Sequence, residues 1–343
     1  MPGPAAPVAA VRVAVRDLLD RLLDAGSLGT GDLVLVACSG GPDSVALASQ
    51  VAFLAPRLQL RAGAVVVDHG LLPGSAAAAS ETAAGCDALG LDPVVVRTAP
   101  DGGRATETAA REARYAELED ARAATGAVGV LLGHTLDDQA ESVLLALGRG
   151  SGTRTLAGMA EVRGPFWRPL LGVRRADTLA VCEALGLRYR IDPSNAVDGP
   201  WRRADGGAVP RAAVRDRVLP ALADALGRDP APALARTARL ARADADLLDA
   251  LAEEAWSRCA DGASPEVGLD VAALAAEHEA LRTRVLRRAA VAAGAPPGDL
   301  LAVHVDALQA LVVDWHGQGE VDLPGRVVAR RVCGRLVLAM SGE

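Results

Sequence analysis

Residues 39–44 read Ser-Gly-Gly-Pro-Asp-Ser, directly after the apolar run LVLVAC at 33–38 and directly before a helix-compatible run at 45–54. A glycine pair between a buried strand and a helix start leaves several backbone N–H groups free. With two hydroxyls and the positive end of the helix dipole, these form a cradle for phosphate. The spacing matches neither GxxxxGK[ST] nor GxGxxG. The chain contains no lysine at all, so its 36 basic residues are all arginine, and a lysine that clamps phosphate or forms a Schiff base is excluded.

The first half of the chain alternates in a way that prescribes parallel strands with helices on both faces. Apolar runs at 33–38, 64–67, 94–96 and 128–132 are each followed by a turn and a helical stretch. In such sheets ligands bind beyond the carboxyl ends of the strands, which is where the glycine loop falls. The second strand delivers Asp68 and His69 to that edge, and the fourth delivers Gly133 and His134. Residues 149–195 read as a loop-rich extension, and GPWRRADGGAVP at 199–210 as a loop or linker. Apolar spacing of three and four at 211–260 and 271–293 predicts amphipathic helices, and the alternation at 319–339 predicts a short hairpin.

A length of 343 residues suits two domains of about 100–200 residues each. The boundary expected from the pattern separates 1–210 from 211–343. Aromatic residues make up only 2% of the chain, which disfavours a base-stacking surface. No apolar stretch approaches the roughly 20 residues that span a bilayer, so a cytoplasmic protein without membrane contact is expected. Cys38, Cys86, Cys182, Cys259 and Cys333 are scattered and form no CxxC pair, which argues against a zinc ribbon, an iron–sulfur cluster or a disulfide framework. A net charge of −7 argues against non-specific coating of nucleic acid but leaves room for local basic patches. Arginines concentrate at 202–217 and again at 282–288, as solvated helix faces or as phosphate contacts.

A second constellation is GHTLDDQAE at 133–141. It follows a strand and opens a helix, which puts His134 in a loop and Asp137, Asp138 and Glu141 on the first turns, with Asp138 and Glu141 on one side. Carboxylates beside a phosphate loop offer the oxygen ligands that a magnesium nucleotide needs. A third is REARY at 111–115, where Arg111 and Arg114 lie one turn apart.

These segments carry a specific resemblance. SGGPDS resembles the PP-loop of the ATP pyrophosphatases, which cleave ATP between the α and β phosphates. Together with VDHG at 67–70, REARY, GHTLDDQAE, RGSGTRTLAGM at 149–159, RPLLGVRRADT at 168–178 and DPSN at 192–195, it occurs in the order and spacing of tRNA(Ile)-lysidine synthases. The segment HVDALQALVVDWHGQGEVDLPG at 304–325 looks like the shortened C-terminal region of the actinobacterial members.

The resemblance implies an α/β fold: a parallel-sheet PP-loop domain of the adenine nucleotide alpha hydrolase type, with a smaller, mainly helical C-terminal domain that contacts tRNA. It implies adenylation of the C2 oxygen of the wobble cytidine in a tRNA(Ile) with a CAU anticodon, then displacement of AMP by the ε-amine of free L-lysine. ATP and Mg2+ are implied as cosubstrate and metal, and a homodimer is an open option. Nucleotide binding falls to Ser39, Gly40, Gly41, Pro42, Asp43, Ser44, Asp68 and Arg111, with Asp43 and Asp138 as magnesium ligands. His134, Asp137 and Asp138 are implied at the reacting centre, the two acids holding the lysine ammonium or metal. Which carboxylate serves as base is left open.

Contacts to tRNA fall to Arg202, Arg203, Arg211 and Arg215. Here the chain departs from the family, whose members carry a stretch resembling FTRNRVRxxVLP. Arg211 and Arg215 match it, while Ala212 and Ala213 stand where an Asn or Val and an Arg are usual, behind a longer loop. The alternatives are a 2-thiolating PP-loop tRNA enzyme, an amidating PP-loop ligase or a nucleotide-binding module without catalysis. The first normally needs paired cysteines and the second a glutaminase domain, and the sequence carries neither.

Overall fold

The computed structural model describes residues 3–68, 70, 74–99, 107–150, 152–192, 197–199, 207–261 and 266–341, with the side chains of 107–110 and 261 left aside. It divides into two units, 1–242 and 243–343.

The first unit opens with α1 (Ala6–Asp24), followed by β1 (Leu33–Ala37), α2 (Pro42–Leu54) and a 3-10 turn, Ala55–Leu58. Next come β2 (Arg61–Asp68), α3 (Ser75–Ala88), β3 (Val94–Thr98), α4 (Glu107–Thr125), β4 (Gly129–Leu132) and α5 (Leu136–Gly148). All four strands expected from the apolar runs are present. The stretch read as loop-rich holds α6 (Thr153–Leu156), the hairpin β5 (Val162–Arg163) and β6 (Phe166–Trp167), and α7 (Arg175–Ala184). Strand order is β3-β2-β1-β4-β6-β5, with β5 antiparallel to β6 and all other pairs parallel.

Every residue of β1 is buried, because both faces of the sheet are covered. Its side chains alternate accordingly. Val34 and Val36 join the core built with α1, α2 and α7, whereas Leu33, Leu35 and Ala37 join the core against Leu118 and Ala121 of α4. Adjacent β1 and β4 have neighbours introduced in opposite chain directions, so the crevice between their carboxyl ends is the topological switch point. The chain then enters α8 (Pro210–Ala213), a π-helical turn at Val214–Val218, α9 (Leu219–Leu226) and α10 (Ala231–Cys259). The division between the units falls within α10.

The second unit contains the end of α10, β7 (Ala260–Asp261), β8 (Val267–Asp270), α11 (Val271–Ala276), α12 (Glu279–Ala292), α13 (Ala302–Val313), β9 (Val321–Leu323), β10 (Val327–Val332) and β11 (Arg335–Met340). The expected hairpin is β10 and β11, but it is the centre of a five-stranded antiparallel sheet ordered β7-β8-β11-β10-β9. This unit is therefore less exclusively helical than its sequence pattern suggests. Its second arginine cluster is engaged in the fold. Arg282 and Arg287 donate to the Glu277 and Leu300 carbonyls at 2.9 and 2.6 Å, Arg284 pairs with Asp249 at 3.0 Å, and Arg288 pairs with Glu253 over the Trp256 ring.

All five cysteines are free thiols, four of them buried and Cys333 exposed. No helix among the described residues is long and apolar enough to cross a membrane.

Candidate active site

The two sequence constellations meet at the switch point. The loop after β1 turns through Gly40 at φ +81°, where a Cβ would lie 2.6 Å from Thr82 Oγ1 of α3, so only glycine fits. The Ser44 side chain is buried and braces the turn from inside. Its hydroxyl donates to the Gly41 carbonyl at 2.9 Å and accepts the Ser39 N–H at 3.1 Å, with Ser39 Oγ 3.3 Å away. Ser39 is exposed, and the Gly40 carbonyl accepts from Arg190 N at 2.8 Å. Pro42 opens α2, and no side chain caps that helix end. Its first N–H groups are therefore disposed for an anion.

Gly133, after β4, abuts this loop. A Cβ there would lie 3.1 Å from both the Asp43 carbonyl carbon and the Ser44 nitrogen. That contact carries α5 and its acids to the phosphate loop. Asp138 splits its carboxylate between two tasks. Oδ2 accepts the Thr135 N–H and hydroxyl at 2.8 and 2.9 Å, capping α5, while Oδ1 accepts Arg175 at 2.9 Å. Burial would raise the Asp138 carboxyl, but Arg175 and the Thr135 donors hold it below the usual carboxylate range.

The start of α7 completes the acid cluster. Arg175 reaches Asp43 at 3.5 Å, Asp138 at 2.9 Å and Glu141 at 3.3 Å, and its backbone N–H donates to Asp137 at 2.8 Å. Arg174 grips Asp137 with two nitrogens at 2.8 and 3.2 Å and pairs with Asp229. Thr178, one turn on, donates to Asp43. Burial raises the Asp43 carboxyl, opposed by Thr178 and Arg175. Glu141 is fully buried and accepts both Arg215 nitrogens, at 2.7 and 3.1 Å, with Arg211 at 3.7 Å. Arg211 also donates to Ser142 at 3.0 Å. Behind this cluster opens a cavity of about 230 Å³. Asp137, Glu141, Arg174, Arg175, Arg215 and Asp229 line one part, and Leu219, Pro220, Ala223, Pro230 and Ala231 the other.

His134 faces a different group. Burial drops its imidazole to about 3, with Arg114, Arg168 and Arg111 pushing the same way against Asp138, and its buried Nδ1 has no hydrogen-bond partner. The ring is neutral near pH 7. Buried Arg168 donates to the Tyr115 hydroxyl at 3.0 Å and the Ala160 carbonyl at 3.0 Å, and exposed Arg111 lies over the Tyr115 ring at 5.2 Å. Asp68 ends β2 at the same sheet edge, where its carboxylate accepts the Gly70 N–H at 2.9 Å.

The structure thus brings together the phosphate loop, Asp43, Asp137, Asp138, Arg211 and Arg215. Arg111 belongs to a separate arginine-rich group, His134 feels both that group and Asp138, and Arg202, Arg203, His69 and the Pro193, Ser194, Asn195 segment lie outside the described residues. Arg174, Arg175 and Thr178 were missed as site residues. Their one signal was the RPLLGVRRADT segment, which is conspicuous in sequence but has no local chemistry.

Family models match the chain twice, a PP-loop domain over residues 15–222 and a TilS substrate binding domain over 269–337. A tRNA(Ile)-lysidine synthase of Thermobifida fusca is 50% identical over 99% of this chain and 99% of its own length. That of Streptomyces coelicolor is 48% identical over 98% and 99%. The chain belongs to the tRNA(Ile)-lysidine synthase family. Its PP-loop fold extends further: a U34-tRNA thiolase of Methanococcus maripaludis superposes with a TM-score of 0.54 over 68% of this chain and 80% of that one, at 18% identity.

Proposed function

We propose that the chain ligates L-lysine to C2 of the wobble cytidine of a tRNA(Ile) with a CAU anticodon, through an adenylated cytidine, releasing AMP and diphosphate. The observation that carries this reading is the contact of Gly133 with Asp43 and Ser44, which joins a phosphate loop to an acid cluster beside a cavity. A C2 oxygen is a poor leaving group, and its AMP ester is a good one. An enzyme for this reaction needs a polyphosphate cradle for the first step and an ammonium site for the second. The loop at 39–44 supplies the first. The cavity supports the second: Asp137, Glu141 and Asp229 offer acceptors for ammonium groups, Leu219, Pro220 and Ala223 cover a hydrocarbon stem, and Arg174 or Arg215 suits a carboxylate.

Asp43 and Asp138 are hard oxygen donors that converge on one guanidinium, a donor set that fits magnesium. The ion would be held by these two carboxylates and by substrate phosphate, and when bound it supplies neutralisation of phosphate charge. Asp137 and Asp138 would then hold the lysine ammonium, and one of the two carboxylates would receive its proton. Neutral His134, with a free Nδ1 among arginines, is suited to accept or donate one hydrogen bond at the base rather than to act as an imidazolium acid. Contact with tRNA is assigned to the second unit and to the 202–215 region. Arg211 and Arg215 would act there through Glu141 unless tRNA draws them off it.

The reading is tested by separating the products formed from ATP. Diphosphate released once tRNA is present, and AMP released only when lysine is added as well, are expected, while ADP and orthophosphate would remove the PP-loop assignment.

A further inference from the structure

Four carboxylates of the site, Asp43, Asp137, Asp138 and Glu141, face four guanidiniums, Arg174, Arg175, Arg211 and Arg215. Asp229, nearly half exposed, adds one more acid at the rim. In this state the four inner acids already have their counter-charges, and the fifth, Asp229, lies at the rim where water screens it. An ammonium entering beside them would add an uncompensated positive charge to a site where Glu141 is fully buried and Asp138 is 11% exposed. Such a charge is unfavourable at low dielectric unless an anion arrives with it or a guanidinium leaves.

One of the four arginines is placed to do the second. Arg175 is the only one whose ion pairs, among the described residues, reach both the phosphate-loop acid Asp43 and the α5 acids Asp138 and Glu141. A polyphosphate on the loop is a stronger acceptor for a planar guanidinium than a set of shared carboxylates, and it lies on the Asp43 side of Arg175. Asp43 stays tied to Thr178 when Arg175 turns away, so the loop acid is not left unpartnered.

We infer that Arg175 couples the nucleotide to the amine: without nucleotide it occupies the carboxylates an ammonium needs, and bound polyphosphate draws it off and opens them. Arg175 is a positioning residue in this scheme. The coupling makes ATP bind before lysine productively, and by linkage lysine strengthens nucleotide binding by the same factor. It rests on the lysine-ligase reading for the choice of amine only.

The test is calorimetric titration of L-lysine into the full chain, with and without saturating α,β-methylene-ATP and magnesium, which cannot be cleaved at the relevant bond. Lysine affinity should rise at least about tenfold with the analogue, within the usual range of coupling between sites. In Arg175→Gln, lysine should bind more tightly than in the wild type when nucleotide is absent, and the analogue should change that affinity by no more than about twofold. Arg175→Lys, whose single ammonium cannot bridge three carboxylates, should show a reduced ratio and serves if the Gln variant does not fold.

A wild-type ratio near one, no lysine binding in either state, or an undiminished ratio in the variants overturns the inference. Lysidine formation by a wild type whose lysine affinity ignores the analogue removes the coupling and leaves the ligase reading intact. Nucleotide-dependent lysine binding without any tRNA modification upholds the coupling and removes the ligase reading.

Discussion

The Arg215 guanidinium straddles the Glu141 carboxylate, with Nε donating to one oxygen at 2.7 Å and a terminal nitrogen to the other at 3.1 Å. This bidentate pair ties the π-helical turn at Val214–Val218 to α5, and Arg211 and Arg175 converge on the same acid. Glu141 is thus the anchor around which the arginine segment and the acid cluster are organised.

Replacing Glu141 by Ala leaves three guanidiniums without their common partner. Loss of one partner of a fully buried pair costs about 3–5 kcal/mol, and here roughly 2–3 kcal/mol is expected because the arginines remain partly open to water. For a unit of this size that is a fall of roughly 5–10 °C in Tm. Thermal unfolding of the purified variant measures it, and an unchanged Tm would show that the arginines are satisfied elsewhere.

Gly133→Ala places a methyl group 3.1 Å from the backbone of Asp43 and Ser44. Overpacking of this kind costs about 1–3 kcal/mol, and it acts on the phosphate loop itself. Weaker ATP binding is expected by calorimetry. Gly148→Ala is the control: nothing lies within 4 Å of that position, at the end of α5, so unchanged ATP affinity is expected. Equal ATP affinity in both variants would mean that the two loops tolerate separation.

Asp137→Asn and Asp138→Asn should each lower lysidine formation by at least about a hundredfold, the scale of a lost acid–base or charge-stabilising group. The two differ in stability. Asp138 also caps α5 and pairs with Arg175; an asparagine oxygen can still accept from Thr135 but then turns its NH2 towards Arg175, so a loss of roughly 1–3 kcal/mol is expected for that variant. Full activity in both would confine these acids to a structural role.

His134 provides a pH test. Its folded-state pKa of about 3 lies below the unfolded value, so the neutral imidazole contributes stability that is fully present above about 6.5 and is lost as pH falls towards 3. Urea unfolding at pH 7 and pH 4.5 should show a smaller acid-induced loss in His134→Gln than in the wild type. Identical losses would place the ring outside its buried, cationic surroundings.

Local chemistry was legible in the sequence and long-range partnership was not. SGGPDS and GHTLDDQAE announce themselves because their residues act where they stand, at the ends of two strands whose apolar runs are unmistakable. The adjacency of the two loops followed from the α/β pattern, since both lie at strand carboxyl ends. Arg175 and Thr178 act on residues more than 30 and 130 positions away, and nothing in their own neighbourhood says so. The same applies to β8: four residues carry no clear alternation, and the strand exists because β11 pairs with it. Arginine clustering at 282–288 suggested a free cationic face, yet Arg282 and Arg287 satisfy backbone carbonyls, while Arg284 and Arg288 pair with acids of α10.

The central claim is that the phosphate loop and acid cluster of this chain join lysine to a cytidine of tRNA. It is tested most directly by mass spectrometry of wobble-position nucleosides after the purified protein is incubated with ATP, magnesium, L-lysine and unmodified tRNA(Ile) carrying a CAU anticodon. Lysidine at that position, absent when ATP or lysine is omitted, is the expected result. Unmodified cytidine under the complete conditions, or a sulfur-containing cytidine when a sulfur donor is supplied in place of lysine, would contradict the account.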